Sequence, residues 1–188
     1  MNTLEVFIDS SDDILNEKSK NMFTKKQDAK PKEITYERVK SYFLWLIGKY
    51  GDYTSKALMQ KANILFKEDT SFNEEALNHL IEREIVDDLR YAKRLTLSYS
   101  EKNIGPNKIK QKLYTKGFTS QIINECLGAL DNTEEDYLDK ALALKCKKFG
   151  EDPIVDEKLK QKALRHLIGQ GFSYSVSNKA ISHSDKEE

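Results

Sequence analysis

One apolar spacing occurs three times along this chain. Phe72-x-x-x-Ala76-Leu77-x-x-Leu80-Ile81 matches Phe118-x-x-x-Ile122-Ile123-x-x-Cys126-Leu127 and, more weakly, Phe172-x-x-x-Val176-Ser177-x-x-Ala180-Ile181. Steps of three and four residues mark one face of an α-helix. Each copy therefore reads as a short amphipathic helix entered through a Phe-led turn. Each follows a lysine-bearing apolar helix, at 54–66, 106–115 and about 155–169, and each of those follows a longer one, at 35–49, 88–102 and about 133–149. The Phe positions lie 46 and then 54 residues apart, so the copies differ in length. A repeat at this period restricts the fold sharply: the chain is all-α, built from three tandem three-helix units.

The helix faces follow from the same count. YERVKSYFLWLIGKY places Val39, Tyr42, Phe43, Leu46 and Ile47 on one side, with Trp45 just off it. Leu58, Ala62 and Leu65 form the next face, and Leu89, Ala92, Leu95 and Tyr99 the face of the fourth helix. Thr54 or Ser55, Asp87 or Asp88, Thr119 and Ser173 stand where helix N-caps belong. Gly117 and Gly171 end the middle helix of their units, where a left-handed residue is needed and glycine adopts it without steric cost. In the first copy Asp69, Thr70 and Ser71 make that turn instead. Cys126 occupies an apolar repeat slot and reads as core. A unit of about 45 residues buries little apolar surface by itself, so packing between neighbours is expected to contribute to stability. The expected organisation is an elongated, curved stack: a flexible N-terminal arm over 1–34, repeats over 35–87, 88–132 and 133–182, and a polar tail over 183–188.

Composition excludes more than it selects. With 31 basic and 31 acidic residues among 188, net charge says nothing about partners. Three prolines, eight glycines and abundant Lys, Glu, Leu and Ala favour helix. No apolar run approaches the roughly 18 residues of a membrane span, and the N-terminus lacks a secretory pattern. Two cysteines make no disulfide framework, so a cytoplasmic location is expected. His79, His166 and His183 have no ligand-like spacing, and no phosphate-binding glycine loop is present, so neither metal nor cofactor is expected and nothing marks an enzyme.

Local charge is uneven. From Asp88 to Lys116 the basic residues are Arg90, Lys93, Arg94, Lys102, Lys108, Lys110, Lys112 and Lys116, against Asp88 and Glu101 alone. A second cluster holds Lys145, Lys147 and Lys148 at the end of one helix, and Lys158, Lys160, Lys162 and Arg165 along the next. The first unit is acidic by comparison, through Glu68, Asp69, Glu74, Glu75, Glu82 and Glu84. Lys108 and Lys112 share a helix face and Lys110 points away from it. Such surfaces are either solvated helix faces or sites for phosphates or an acidic protein groove. Tyr91, Tyr99 and Tyr114 are the aromatic residues interleaved with them, so shape or backbone contact is indicated rather than base reading.

The stretch IVDDLRYAKRLTLSYSEKNIGPNKIKQKLYTKGFTSQIINECL (85–127) resembles the central signature of the RecX regulatory proteins. Its elements are Asp87-Asp88-x-Arg90-Tyr91-Ala92, Gly105-Pro106-x-x-Ile109 and the Lys-Gly-Phe turn at 116–118. KQKALRHLIGQGFSYSVSNKAI (160–181) resembles that family's C-terminal end, and DYTSKALMQKA (52–62) loosely echoes its first repeat. The resemblance spans roughly 36 to 182 and implies three tandem three-helix repeats. It also implies a non-enzymatic, cytoplasmic regulator of the RecA recombinase. Such a protein binds the RecA filament on single-stranded DNA and inhibits ATP hydrolysis, strand exchange and co-protease activity.

On that basis the residues expected to meet recombinase or DNA are Arg90, Lys93 and Arg94 on the fourth helix, Lys108, Lys110 and Lys112 on the fifth, and Lys158, Lys162 and Arg165 on the eighth. Contact with single- or double-stranded DNA would be non-specific, and the protein a monomer. Two other classes fit the periodicity: an autonomous DNA-binding module of helix-turn-helix type, and a helical-repeat adaptor for another protein.

Overall fold

A computed structural model describes residues 33–183. Among these residues there are nine helices and no strand: α1 (Tyr36–Tyr50), α2 (Ser55–Leu65), α3 (Ser71–Glu82), α4 (Asp88–Ser100), α5 (Pro106–Thr115), α6 (Ser120–Gly128), α7 (Glu134–Phe149), α8 (Glu157–Gly169) and α9 (Tyr174–Ser182). The arm and tail expected from the sequence lie almost wholly outside the described residues.

The helices begin where side chains can hold free backbone amides. Thr54 accepts from the Ala57 N–H at 3.1 Å, Asp87 from the Arg90 N–H at 2.9 Å and Ser173 from the Val176 N–H at 3.1 Å. Thr133 and Asp136 exchange bonds in a capping box that starts α7. Gly117 and Gly171 take the left-handed turn, at φ +94° and +92°.

Three apolar clusters result, one per repeat. Val39, Phe43, Leu46, Leu58 and Leu80 centre the first. Ile109, Leu113, Phe118, Ile123 and Cys126 centre the second. Leu167, Phe172, Val176 and Ile181 centre the third. Burial pushes the Cys126 thiol up. The first repeat departs from the expected pattern. Phe118 and Phe172 precede their helices and are buried, whereas Phe72 lies inside the first turn of α3 and is half-buried. Phe66, at the end of α2, fills the aromatic position instead.

The contacts between neighbouring repeats are polar rather than apolar. The clusters share no residue, and the repeats meet through polar groups at the glycine turns. The Thr54 hydroxyl donates to the Lys116 carbonyl at 3.0 Å, just before Gly117. Asp88 does not cap its own helix, as Asp87 does. Its carboxylate accepts from the Ser55 N–H at 2.8 Å and the Ser55 hydroxyl at 2.6 Å, holding the start of α2 from the next repeat.

The second junction repeats the arrangement with backbone groups in place of the Thr54 and Asp88 side chains. The Gly105 N–H donates to the Gln170 carbonyl at 2.8 Å, and the Asn107 N–H to the Gly171 carbonyl at 3.1 Å. A Cβ on Gly105 would fall inside the Gly171 carbonyl group, and one on Gly171 inside the Lys108 amide. Both junctions thus seat the start of one repeat's middle helix on the Gly-Phe turn of the next.

Candidate functional site

That seating leaves an open groove of about 1030 Å³ between α2 of the first repeat and α5 of the second. Five lysines line it: Lys56 and Lys61 from α2, and Lys108, Lys112 and Lys116 from the α5 side. Five tyrosines line it as well, Tyr50, Tyr53, Tyr91, Tyr99 and Tyr114. Asp52 also lines it, and its carboxylate is ion-paired with Arg94. Positive charge is therefore in excess on both walls.

Helical spacing explains the lining. Lys108 and Lys112 are one turn apart on α5, with Ile109 and Leu113 turned into the core behind them. On α2, Lys56, Gln60 and Ile64 repeat every four residues opposite the buried pair Leu58 and Ala62, and Ile64 is 55% exposed. The cations lie against ring faces. Lys61 stands 5.5 Å from the centre of Tyr53, and Lys112 stands 5.4 Å from that of Tyr99. These contacts hold the ammonium groups close to aromatic surface.

The nine basic residues singled out from the sequence do not form one surface. Lys108 and Lys112 reach the groove. The other members of the second-repeat set are tied down or turned elsewhere. Arg90 donates to the Glu84 carbonyl at 2.7 Å, Lys93 pairs with Glu125 at 3.4 Å, and Arg94 pairs with Asp52 across the first junction. Lys110 is half-buried and does not line the groove. Lys158, Lys162 and Arg165 are exposed on α8, away from it, and the Arg165 Nε donates to the Gln161 carbonyl at 3.3 Å. Tyr91 packs edge-on to Phe118, ring centres 5.4 Å apart. Burial, then Asp52, raises its phenol, and Arg94 partly offsets them.

Lys145 also stands apart from its neighbours. It is fully buried, and its Nζ donates to the carbonyls of Glu151 at 2.5 Å and Asp152 at 2.8 Å. It closes the loop after α7 rather than adding to a surface cluster with Lys147 and Lys148.

Sequence reasoning missed the first repeat's share of the groove: Tyr50, Tyr53, Lys56 and Lys61. The signal was the second, polar face of α2. The acidic count of the repeat comes from α3 and its flanks and conceals it. No helix among the described residues is long and apolar enough to cross a membrane.

Residues 87–127 match the family model described as the second three-helix domain of RecX, and residues 134–181 match the third. The regulatory protein RecX of Acinetobacter baylyi is 32% identical over 136 residues, covering 72% of this chain and 82% of that protein. The chain belongs to the RecX family. A RecX from Lactococcus lactis subsp. cremoris is 34% identical over 122 residues, and the match spans 63% of this chain but only 45% of that longer protein. The crystal structure of RecX from Lactobacillus salivarius shares the fold at a TM-score of 0.63 and 22% identity, covering 78% of this chain and 94% of that one. A second RecX crystal structure gives 0.64 at 22% identity, with 89% and 86% covered. The matched RecX domains begin and end with α4–α6 and α7–α9, so the groove lies between the second RecX domain and the repeat that precedes it.

Proposed function

We propose that this protein is a negative regulator of the RecA recombinase. It binds the RecA filament on single-stranded DNA and inhibits ATP hydrolysis, strand exchange and co-protease activity. Membership of a family of regulatory proteins supports the regulatory role. The observation that carries the binding mode is the lysine- and tyrosine-lined groove between the first two repeats, which has cations on both walls. Such a groove suits phosphates and acidic surface, and it has the character of non-specific backbone contact. Repeats 35–87, 88–132 and 133–182, set in a row, bridge successive recombinase protomers and oppose the cycling that ATP turnover requires. The protein acts as a monomer in the cytoplasm and performs no catalysis itself.

Within this reading Lys108 and Lys112 contact the filament directly. Arg90 and Arg94 hold the junction that shapes the groove, and Lys93 pairs with Glu125 inside the second repeat. Lys158, Lys162 and Arg165 form a separate exposed face on the third repeat. The test reverses charge on both walls with Lys56→Glu and Lys112→Glu, both exposed and outside the cores. The double variant keeps its helicity and needs at least roughly tenfold more protein for the same inhibition, as loss of several charge-assisted contacts requires. Unchanged inhibition overturns the groove assignment. Tight, salt-sensitive binding to duplex DNA with no effect on RecA favours the autonomous DNA-binding module.

A further inference from the structure

The groove does not end at the first junction. Lys108 lines its end and also reaches the third repeat, where its Nζ donates to the Gln170 Oε1 at 2.7 Å. Beside that contact, the Lys148 Nζ lies 3.1 Å from the His166 Nδ1. The Phe149 ring lies edge-on to the His166 ring, centres 5.8 Å apart. Burial, then the Lys148 charge and then the Lys108 charge, holds the His166 imidazole below the usual histidine range. Among the described residues no carboxylate is within ion-pair distance of Lys108, Lys148 or His166. Two ammonium groups and an imidazole from α5, α7 and α8 therefore converge at the second junction with no acidic partner.

The Lys108 and Lys148 ammonium groups meet only neutral acceptors, the Gln170 Oε1 and the His166 Nδ1, so their charges are not neutralised and an anion supplies the missing counter-charge. We propose that Lys108, Lys148 and His166 form a phosphate-binding site that spans the second and third repeats. The site rests on the proposed regulatory reading only through Lys108, which continues the track of Lys112 onto the third repeat. A phosphate there accepts from both ammonium groups and from a protonated His166, whose Nδ1 then turns from the Lys148 ammonium to donate to the anion. The contacts come from both sides of the junction, so the bound anion fastens the two repeats together. The phosphate is either a phosphodiester of a nucleic-acid strand or a free polyphosphate.

The experiment follows the His166 ring by NMR across a pH titration of the full chain, without recombinase. Inorganic pyrophosphate and a short oligothymidylate are the two probes, and His79 in the first repeat is the internal control. The expected result is a saturable rise in the titration midpoint of His166, with His79 unmoved. Lys148→Ala, at an exposed position, weakens that binding roughly tenfold, the usual worth of one charge-assisted hydrogen bond. A response to both probes establishes a phosphate site open to either source. A response to the oligonucleotide alone assigns it to a strand, and a response to pyrophosphate alone assigns it to free polyphosphate. Failure of both probes to move His166, or an equal response in Lys148→Ala, overturns the site. Because no recombinase is present, that failure leaves the regulatory reading standing.

Discussion

The second junction provides a graded test of how the repeats are joined. Gly117 and Gly171 sit at corresponding turns, Gly105 starts the helix that docks on the second of them, and the three differ in what limits them. Gly117 has φ +94°, and a Cβ there would meet the Lys56 and Thr54 side chains at 3.4 Å, close to ordinary contact. Gly117→Ala should therefore cost only the left-handed conformation, about 1–2 kcal/mol. Gly105 has an ordinary φ of −79°, so alanine there carries no conformational penalty. Its Cβ would instead strike Gly171 backbone and drive the repeats apart. Three hydrogen bonds are then lost: Gly105 to Gln170, Asn107 to Gly171, and Lys108 to Gln170. At about 1 kcal/mol net each, Gly105→Ala should cost about 3 kcal/mol. Gly171→Ala combines both effects, at φ +92° and with the Lys108 amide in the way, and should cost about 4–5 kcal/mol. Urea unfolding gives the order, and hydrogen exchange at the Gly105 and Asn107 amides gives the place. In Gly105→Ala these amides exchange faster while amides in the first repeat do not. A Gly105→Ala variant within about 0.5 kcal/mol of the parent, the range of an ordinary surface change, would refute the docking argument. So would equal losses at Gly117 and Gly171.

Two further predictions concern a buried lysine and a half-buried histidine. Lys145→Met keeps the volume but leaves the Glu151 and Asp152 carbonyls without their donor, so urea unfolding should show a loss of about 2–4 kcal/mol; a neutral result would place that amine in water. His166 is held below the usual histidine range in the folded state, chiefly by burial and then by Lys148 and Lys108. The unfolded chain therefore takes up a proton first, and stability falls as pH drops through the ordinary histidine range near 6.5. His166→Gln should flatten that part of the stability–pH curve, and an unaltered curve would contradict the assignment.

The local parts of the fold are readable in the residue pattern because helix faces, caps and glycine turns depend on neighbours three or four positions away. The apolar stripes, the Thr54, Thr119 and Ser173 caps, and the left-handed Gly117 and Gly171 are of this kind. What the pattern concealed is long-range. The Thr54–Lys116 and Lys108–Gln170 contacts each join residues 62 apart, and nothing in either segment names the other. Gly105 looks like half of a helix-starting Gly-Pro, yet its missing side chain makes room for another repeat's backbone. Lys145 stands beside Lys147 and Lys148 in a basic helix end, and it is buried by a loop that turns back over it. The site was half legible. Lys108 and Lys112 share a face that periodicity reveals. Lys56 and Lys61 enter only once the first repeat is seated, and Arg90, Lys93 and Arg94 are taken up by carbonyl and carboxylate partners that charge counting ignores.

The central claim is that this chain restrains a recombinase filament. Its most direct test is the rate of single-stranded-DNA-dependent ATP hydrolysis by purified RecA, with this protein titrated in well below one copy per recombinase. A steep fall in turnover at such ratios is the predicted result, because one bridging or capping molecule acts on many protomers. Turnover that stays constant up to equal amounts of the two proteins would contradict it.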